Sequence, residues 1–405
     1  MFGAVRAPPG VPRLRLLQRT PDHFGESGSI VLSRAQCGLV PLALFLFMRI
    51  AVDVMGSDHG CEVVIDGIKL ALQAYPAITE MHVVGDQKAI EAAIARSRLK
   101  DPRVRIVHAS EVLEMEDKPL AAVRKKRDSS VVRAAELVKD GKAEALISPG
   151  NTGGLVAAAT LTLRRLEGVE RPAIATVCPA GKAEFILIDA GANPECKALH
   201  LVQFAIMGSI YSREILGHER PRVGILSNGK EEIKGNDLTR ETAKLLQQVD
   251  LNFIGYVEGH DLFSDNVEVV VTDGFIGNIV LKTVESMGKS IVRLIKRELA
   301  GSTVRKLGAA LAAQGFRNIK QRMDPDAYGG APLLGLNGNV IKAHGSARER
   351  AIMNAIRVST EAIQHHLKEM IQAEIQRANQ RLEDARLKTS PPAGLETGVT
   401  GSVAA

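Results

Sequence analysis

The sequence predicts an α/β fold in which a mostly parallel β-sheet lies between layers of helices. Three observations lead there. From Met48 onward, short β-rich runs alternate with helix-length amphipathic stretches. Several of the runs are near-continuous Val, Ile and Leu, which suits strands covered on both faces. Glycine-rich polar turns recur where those runs end, the place where open α/β sheets bind ligands.

In chain order, the first strand is Arg49–Met55, and the apolar-periodic stretch Glu62–Tyr75 follows it as a helix. Strands are predicted at Met81–Gly85, Val104–His108 and Ala145–Ser148, short apolar runs bounded by turn residues. The stretch Gly153–Leu166 reads as the helix after the fourth strand. Ile174–Cys178 and Phe185–Asp189 come next, then a long helix over Glu195–Leu216. Arg222–Leu226, Phe253–Val257 and Val267–Thr272 complete the strands, and Gly277–Leu299 has helical spacing. Ala347 to Ala385 reads as one long helix. Its Ile356, Ile363 and Met370 recur every seven residues, a spacing for packing or for a dimer seam.

Bulk properties narrow the class. Hydrophobic residues make up 45% and charged residues 24%, the balance of a globular enzyme. Aromatics are only 3% with no Trp, which argues against nucleic-acid binding through stacking platforms. The formal charge is +6, of which residues 1–47 supply +3. That leader is Pro/Gly-rich, and the ordered domain is expected to start near Met48, with the leader disordered or an artefact of start-site choice. No apolar run approaches the roughly 20 residues of a membrane span. Cys37, Cys61, Cys178 and Cys196 have no metal-type spacing and fit free thiols in a reducing cytoplasm. Residues 296–322 carry seven Lys/Arg against one Glu, interspersed with Leu307, Leu311 and Phe316. They read either as a basic amphipathic hairpin on an anionic membrane surface or as a solvated helix pair packing on its own protein. After Leu387 the chain is Pro/Gly/Thr/Ser-rich and is expected to be disordered, so that residues 372–405 form a helix end and a tail.

The chemistry is expected in the strand-end turns. Asp53 opens the turn after the first strand. The turn Ser148-Pro149-Gly150-Asn151-Thr152-Gly153-Gly154 joins a strand to a helix and reads either as an ordinary tight turn or, with its neighbours, as one whose backbone N–H groups and helix terminus favour an anion. Lys230 and Lys234 lie in the turn before Asn236 and Asp237, either of which can cap the next helix. Asp273-Gly274-Phe275-Ile276-Gly277-Asn278 is again a strand-to-helix turn, with Lys282 one turn further on. Asn278 is an amide placed to donate to a developing oxyanion or to cap the helix. The apolar, glycine-rich run from Tyr328 to Gly338 can line an acyl groove or form a core loop, and Lys342, His344 and Gly345 follow it. There is no GxGxxG after a strand, no Walker loop, no GxSxG and no HExxH. The residues alone therefore give an α/β enzyme with anion-capable loops and no evident covalent nucleophile.

Taken together, RIAVDVMGSDHG, AVRKKRDSSVVRA, ISPGNTGG, DAGAN, EEIKGNDLT, VVVTDGFIGN, YGGAPLLG and IKAHGSA resemble the bacterial phosphate acyltransferase family, the acyl-carrier-protein:phosphate transacylases. The resemblance spans Met48 to Ile371, with departures at Ser57, at Gly60-Cys61 and at Ser227 to Lys230. It implies a three-layer α/β/α homodimer related in fold to phosphotransacetylases and isopropylmalate-type dehydrogenases. It implies reversible transfer of a long-chain acyl group from acyl carrier protein to inorganic phosphate, without cofactor or metal. The product would feed a membrane glycerol-3-phosphate acyltransferase in phospholipid synthesis, and the enzyme would be cytoplasmic or peripheral on the membrane. On this resemblance Lys234 and Asn278 carry catalysis, one orienting phosphate and the other donating to the oxyanion. Asp53, Gly150, Asn151, Thr152, Gly153, Gly154, Asn236, Asp273, Gly277 and His344 are expected around the substrate. Arg124, Lys125, Lys126 and Arg127, or the basic hairpin, would dock the acidic carrier protein. Three other readings compete: a decarboxylating NAD-dependent dehydrogenase, a short-chain phosphotransacylase using coenzyme A, and a membrane scaffold. Asp261 and Asp265 are poor evidence for the metal cluster the first would need.

Overall fold

A computed structural model describes residues 48–114, 116–181, 183–322 and 328–389. The expectations for the leader, and for the tail beyond residue 389, lie outside these residues. The first half runs β1 (Met48–Asp53), α1 (Cys61–Ala74), β2 (Ile78–Gly85), α2 (Gln87–Ser97), β3 (Val104–His108), α3 (Pro119–Lys125), α4 (Ser130–Lys139), β4 (Ala145–Ser148) and α5 (Thr152–Leu163). Next come β5 (Ala173–Pro179), β6 (Glu184–Ile188), α6 (Ala198–Leu216), β7 (Arg222–Leu226), α7 (Asp237–Leu246), β8 (Asn252–Val257) and β9 (Val269–Val271). The chain continues as α8 (Gly274–Ala300), α9 (Thr303–Leu311), α10 (Ala313–Arg322), β10 (Ala331–Leu334), β11 (Asn339–Lys342), α11 (Glu349–Gln364) and α12 (Leu367–Thr389).

The strands form one sheet in the order β3-β2-β1-β4-β11-β10-β5-β6-β9-β7-β8. On one side β3, β2, β1, β4 and β11 are parallel, and on the other β6, β9, β7 and β8 are parallel. Between them, β10 pairs antiparallel with β11 and β5, and β5 pairs antiparallel with β6. The two parallel halves therefore run in opposite directions. The expected mostly parallel α/β sheet is present, and each central strand is buried as its Val/Ile/Leu content requires. Ile50, Val52, Leu146, Ile147, Val223, Ile225, Val269 and Val271 are all fully enclosed.

Two elements differ from the sequence reading. The glycine-rich run after Tyr328 is not a loop but leads into the hairpin β10–β11, which joins the two half-sheets, and its Tyr328, Gly330 and Ala331 line a cavity, as the groove reading expected. Gly329, Gly330 and Gly335 have φ of +88°, +87° and +87°, conformations that L side chains rarely adopt, and they let the chain bend on either side of β10. The expected single helix from Ala347 to Ala385 is two. It breaks at His365 and His366, where His366 takes φ +50°. Before the break α11 packs on α1, and after it α12 packs on α6. Ile356 and Ile363 are buried in the protein's own core and Met370 packs against it, so the seven-residue spacing serves internal packing.

Candidate functional site

The loops after β1, β4 and β11 meet at one end of their half-sheet. Asp53, at the end of β1, is buried; it accepts from Ser148 Oγ at 2.7 Å and from the Met55 N–H at 3.1 Å. Burial pushes its carboxyl up, opposed by the hydrogen bonds from Ser148 and Ser130. A Cβ on Gly56 would come within 2.3 Å of the Gly150 Cα, so the loops after β1 and β4 touch backbone to backbone. The Asp58 N–H donates to the Gly345 carbonyl at 2.9 Å and ties in the loop after β11. Asn151 caps α5 by accepting from the Gly154 N–H at 2.9 Å, and Gly150 donates to Ser148 Oγ at 3.1 Å. Those two amides are therefore committed within the loop, contrary to their expected place in an anion cradle.

A second set of loops faces them. The Asp189 carboxylate, after β6, accepts from the backbone N–H groups of Ile174, Gly191, Ala192 and Asn193 and from Asn193 Nδ2. This fixes the turn after β6, to which the start of α8 is tied by the Gly274 N–H donating to the Asn193 carbonyl at 2.8 Å. Asp273 caps α8 through the Phe275 and Ile276 N–H groups at 3.0 and 2.9 Å. Gly277 packs so closely on Asp189 that a Cβ would lie 1.9 Å from its carbonyl oxygen. Only glycine permits that approach. The next residue, Asn278, is thereby set against Gly191.

Between the two sets lies a cavity of about 940 Å³. Its polar lining combines Asp58, Gly150, Thr152, Lys342 and His344 with Asn278 and Lys282 of α8. Its apolar lining includes Ile174, Val177, Cys178, Leu281, Val284 and Val292. Further along α8, Glu285, Lys289 and Arg293 also line it. The helix supplies this face because residues 278, 281, 282, 285, 288, 289, 292 and 293 recur at three- and four-residue steps.

Electrostatically the lining is net cationic, with Lys282, Lys289, Arg293 and Lys342 against Asp58 and Glu285. Burial, reinforced by the neighbouring Lys282 ammonium, holds Lys342 down to about 8, against the attraction of Asp58 and Asp53. Burial and the charges of Lys282, Lys342 and Lys289 also hold His344 below its usual range. Lys282 itself pairs with Glu285 at 3.1 Å. The Cys178 thiol in the apolar lining is pushed up to about 12 by burial, so it is not poised as a nucleophile.

The structure thus gathers Asn278, Gly150, Thr152 and His344 around one cavity. Asp53, Asn151, Gly154, Asp273 and Gly277 are not in its lining but hold its loops through the contacts given above, while Gly153 packs towards Pro119 of α3. Lys234 is exposed on the turn after β7 and is not part of the lining, and neither is Asn236, which caps α7 by accepting from the Thr239 N–H at 2.9 Å. Arg124, Lys125 and Arg127 are exposed around the end of α3, while Lys126 is paired with Asp117 at 2.6 Å. Lys282, Lys342 and Asp58 complete the site. All three sit in motifs singled out from the sequence, but their convergence depends on the mid-sheet hairpin, which had no sequence signature. Glu258, His260 and Asp261 are close enough to share a cation, yet Asp261 already holds Lys230 at 2.8 Å.

No helix among the described residues is long and apolar enough to cross a membrane. The hairpin of α9 and α10 is amphipathic as expected, and α9 has no buried residue: Leu307 is 64%, Leu311 83% and, in α10, Phe316 37% exposed.

Residues 48–370 match the family described as "Fatty acid synthesis protein". The chain is 45% identical over 329 residues to the phosphate acyltransferase of Pelotomaculum thermopropionicum, covering 81% of this chain and 95% of that one. It is 45% identical over 336 residues to the phosphate acyltransferase of Akkermansia muciniphila, covering 82% and 96%. Among solved structures, a phosphotransacetylase from Streptococcus pyogenes superposes with a TM-score of 0.51 at 16% identity, covering 83% of this chain and 94% of that one. At that identity the likeness speaks to fold alone, and it agrees with the α/β architecture described above.

Proposed function

The chain belongs to the fatty acid synthesis protein family, and on that premise we propose that it transfers a long-chain acyl group from acyl carrier protein to inorganic phosphate. The names of its relatives support acyl transfer to phosphate. The single observation that carries the reading in this molecule is the cavity, whose lining offers both cationic and apolar surface. An acyl phosphate needs those two surfaces side by side.

Phosphate is itself the nucleophile, so the enzyme has to hold it against the thioester carbon and stabilise the tetrahedral oxyanion. Asn278, fixed on the first turn of α8, is the oxyanion donor in this reading. Lys282, one turn further along the same helix, binds phosphate by charge, and the apolar lining takes the acyl chain. The family resemblance gives the phosphate role to Lys234, whereas the cavity favours Lys282. Arg124, Lys125 and Arg127 offer an exposed basic surface for the acidic carrier protein, which predicts salt-sensitive binding lost on charge reversal. The α9–α10 hairpin, basic with exposed Leu307, Leu311 and Phe316, is the proposed contact with an anionic membrane. Co-sedimentation with anionic but not neutral vesicles tests it. A homodimer, and coupling to a membrane glycerol-3-phosphate acyltransferase, belong to the same reading.

The deciding experiment incubates purified protein with acyl carrier thioester and phosphate and traps acyl phosphate as the hydroxamate. Product that depends on both substrates supports the proposal. Equal or faster product from acyl-coenzyme A would replace the carrier protein as donor, and no product from either would end it.

A further inference from the structure

Acyl transfer to phosphate leaves one proton to be placed. Hydrogen phosphate must lose it on becoming an acyl phosphate, and the departing thiolate must gain one to become a thiol. We propose that Lys342 carries that proton from the attacking phosphate to the leaving sulfur, as a catalytic residue of the reaction proposed above, on which this inference rests.

The placement argues for it. Lys342 is the last residue of β11, paired in register with Ser148 of β4, and its side chain lines the cavity whose wall also holds Asn278 and Lys282. Its Nζ donates to the Pro149 carbonyl at 3.3 Å and to its neighbour, the Ala343 carbonyl. A lysine nitrogen has three donor positions when charged, and two with a lone pair when neutral. The two carbonyls hold two N–H groups in either state. The third position, a proton or a lone pair, is left for the cavity.

The surrounding charges suit a group that changes state. Burial is the main opposition to its positive charge, Lys282 on α8 adds to it, and Asp58 after β1 and Asp53 on β1 attract the charge. From the same helix Glu285 and Lys289 reach the adjoining His344. The balance sets Lys342 at about 8, where both forms are populated in mildly alkaline solution. The other candidates fit less well. His344 accepts at Nδ1 from the Ser346 N–H at 3.2 Å and lies beside its Oγ at 2.8 Å, which leaves Nε2 as a donor. Lys282 is already paired with Glu285.

In balance, a phosphate oxygen pair forms the O–C bond to the thioester carbon while the phosphate proton passes to the Lys342 amine. The carbonyl π pair moves onto its oxygen beside Asn278. When it returns, the C–S pair leaves with sulfur, which takes the proton from Lys342. The lysine ends neutral, as it began.

Two donors with the same acyl chain test the relay: the carrier-protein thioester, and an aryl thioester whose thiolate leaves without protonation. Lys342→Arg keeps a cation but cannot exchange the proton, so turnover with the carrier thioester should fall about 100- to 10,000-fold. The loss should be at least about tenfold smaller with the aryl thioester. The wild-type rate should rise with pH through about 8, a limb missing from the arginine variant, while phosphate's own ionisation is common to both. Added methylamine should restore part of the activity of Lys342→Ala, a rescue that also demonstrates a folded site. Full activity of Lys342→Arg, or equal losses with both donors and no amine rescue, overturns the relay while wild-type turnover leaves acyl transfer standing. If the wild-type protein makes no acyl phosphate from either donor, the acyl-transfer reading and the relay fall together.

Discussion

Replacing Gly277 with alanine tests whether the grip of α8 on the Asp189 turn sets the position of Asn278. The added Cβ would stand 1.9 Å from the Asp189 carbonyl oxygen and 3.1 Å from Thr272 Cγ2, whereas real Cβ contacts stay above 3.0 Å. Helix and turn must therefore part by about 1 Å. The turn cannot yield, because the Asp189 carboxylate holds four backbone N–H groups and the Asn193 amide. The helix start moves instead, and Asn278 moves with it. Overpacking of this kind costs about 1–3 kcal/mol, and a misplacement of about 1 Å at a reacting centre costs about 100-fold in rate. Expected in the hydroxamate assay is a fall in kcat of that order, with a melting temperature lowered by a few degrees and a soluble, folded protein. Gly308→Ala is the control. That glycine lies inside α9 with nothing within 4 Å of the new methyl, so stability should rise by up to about 1 kcal/mol and kcat should stay unchanged. A Gly277→Ala variant that loses stability yet keeps wild-type kcat would refute the claim that this contact positions Asn278.

Asn278→Ala should lower kcat about 100- to 1,000-fold with the melting curve unchanged, as loss of one oxyanion donor does; near-normal turnover would remove it from the mechanism. Lys282→Ala should raise the KM for phosphate well above the value for Lys234→Ala. The reverse order, measured in the same phosphate titrations, would return the anion site to the turn after β7. Lys342→Met should alter the pH dependence of stability. The folded lysine lies at about 8 against an ordinary 10.5, so between those values the unfolded chain binds the extra proton. Wild-type stability should therefore gain on the methionine variant as pH rises from 8 towards 10.5, and parallel thermal melts across that window would contradict the burial of its charge.

Much of the fold was legible because most strands are local patterns. Val104–His108, Ala145–Ser148 and Arg222–Leu226 are short apolar runs closed by polar turns, and the structure places strands on those same residues. The hairpin was not legible. Ala331–Leu334 is four residues long, contains Pro332 and is flanked by glycines, so its local chemistry is that of a loop. Tertiary context makes it a strand, because the open edges of β4 and β5 lie ready to pair with the hairpin. The break at His366 was hidden for a related reason: a left-handed histidine has no Gly or Pro to announce it. In the site, residues at strand ends were readable as anion-capable, but not which of them converge. Asn278 and His344 line one cavity, while Lys234, equally polar, stays outside. Lys342 looked like one more lysine after a glycine-rich run. Only the pairing of its strand with β4 brings it beside Pro149 and opposite α8.

The central position of a hairpin formed so late in the chain also governs how the protein is made. While the ribosome is still adding residues before 331, the β4 and β5 edges of the two half-sheets have no partner between them. Unpaired edges of apolar strands invite association with neighbouring nascent chains. Chains interrupted upstream of the hairpin should thus accumulate as sticky, inactive half-sheets, and closing that seam is the step that turns two scaffolds into one working chamber.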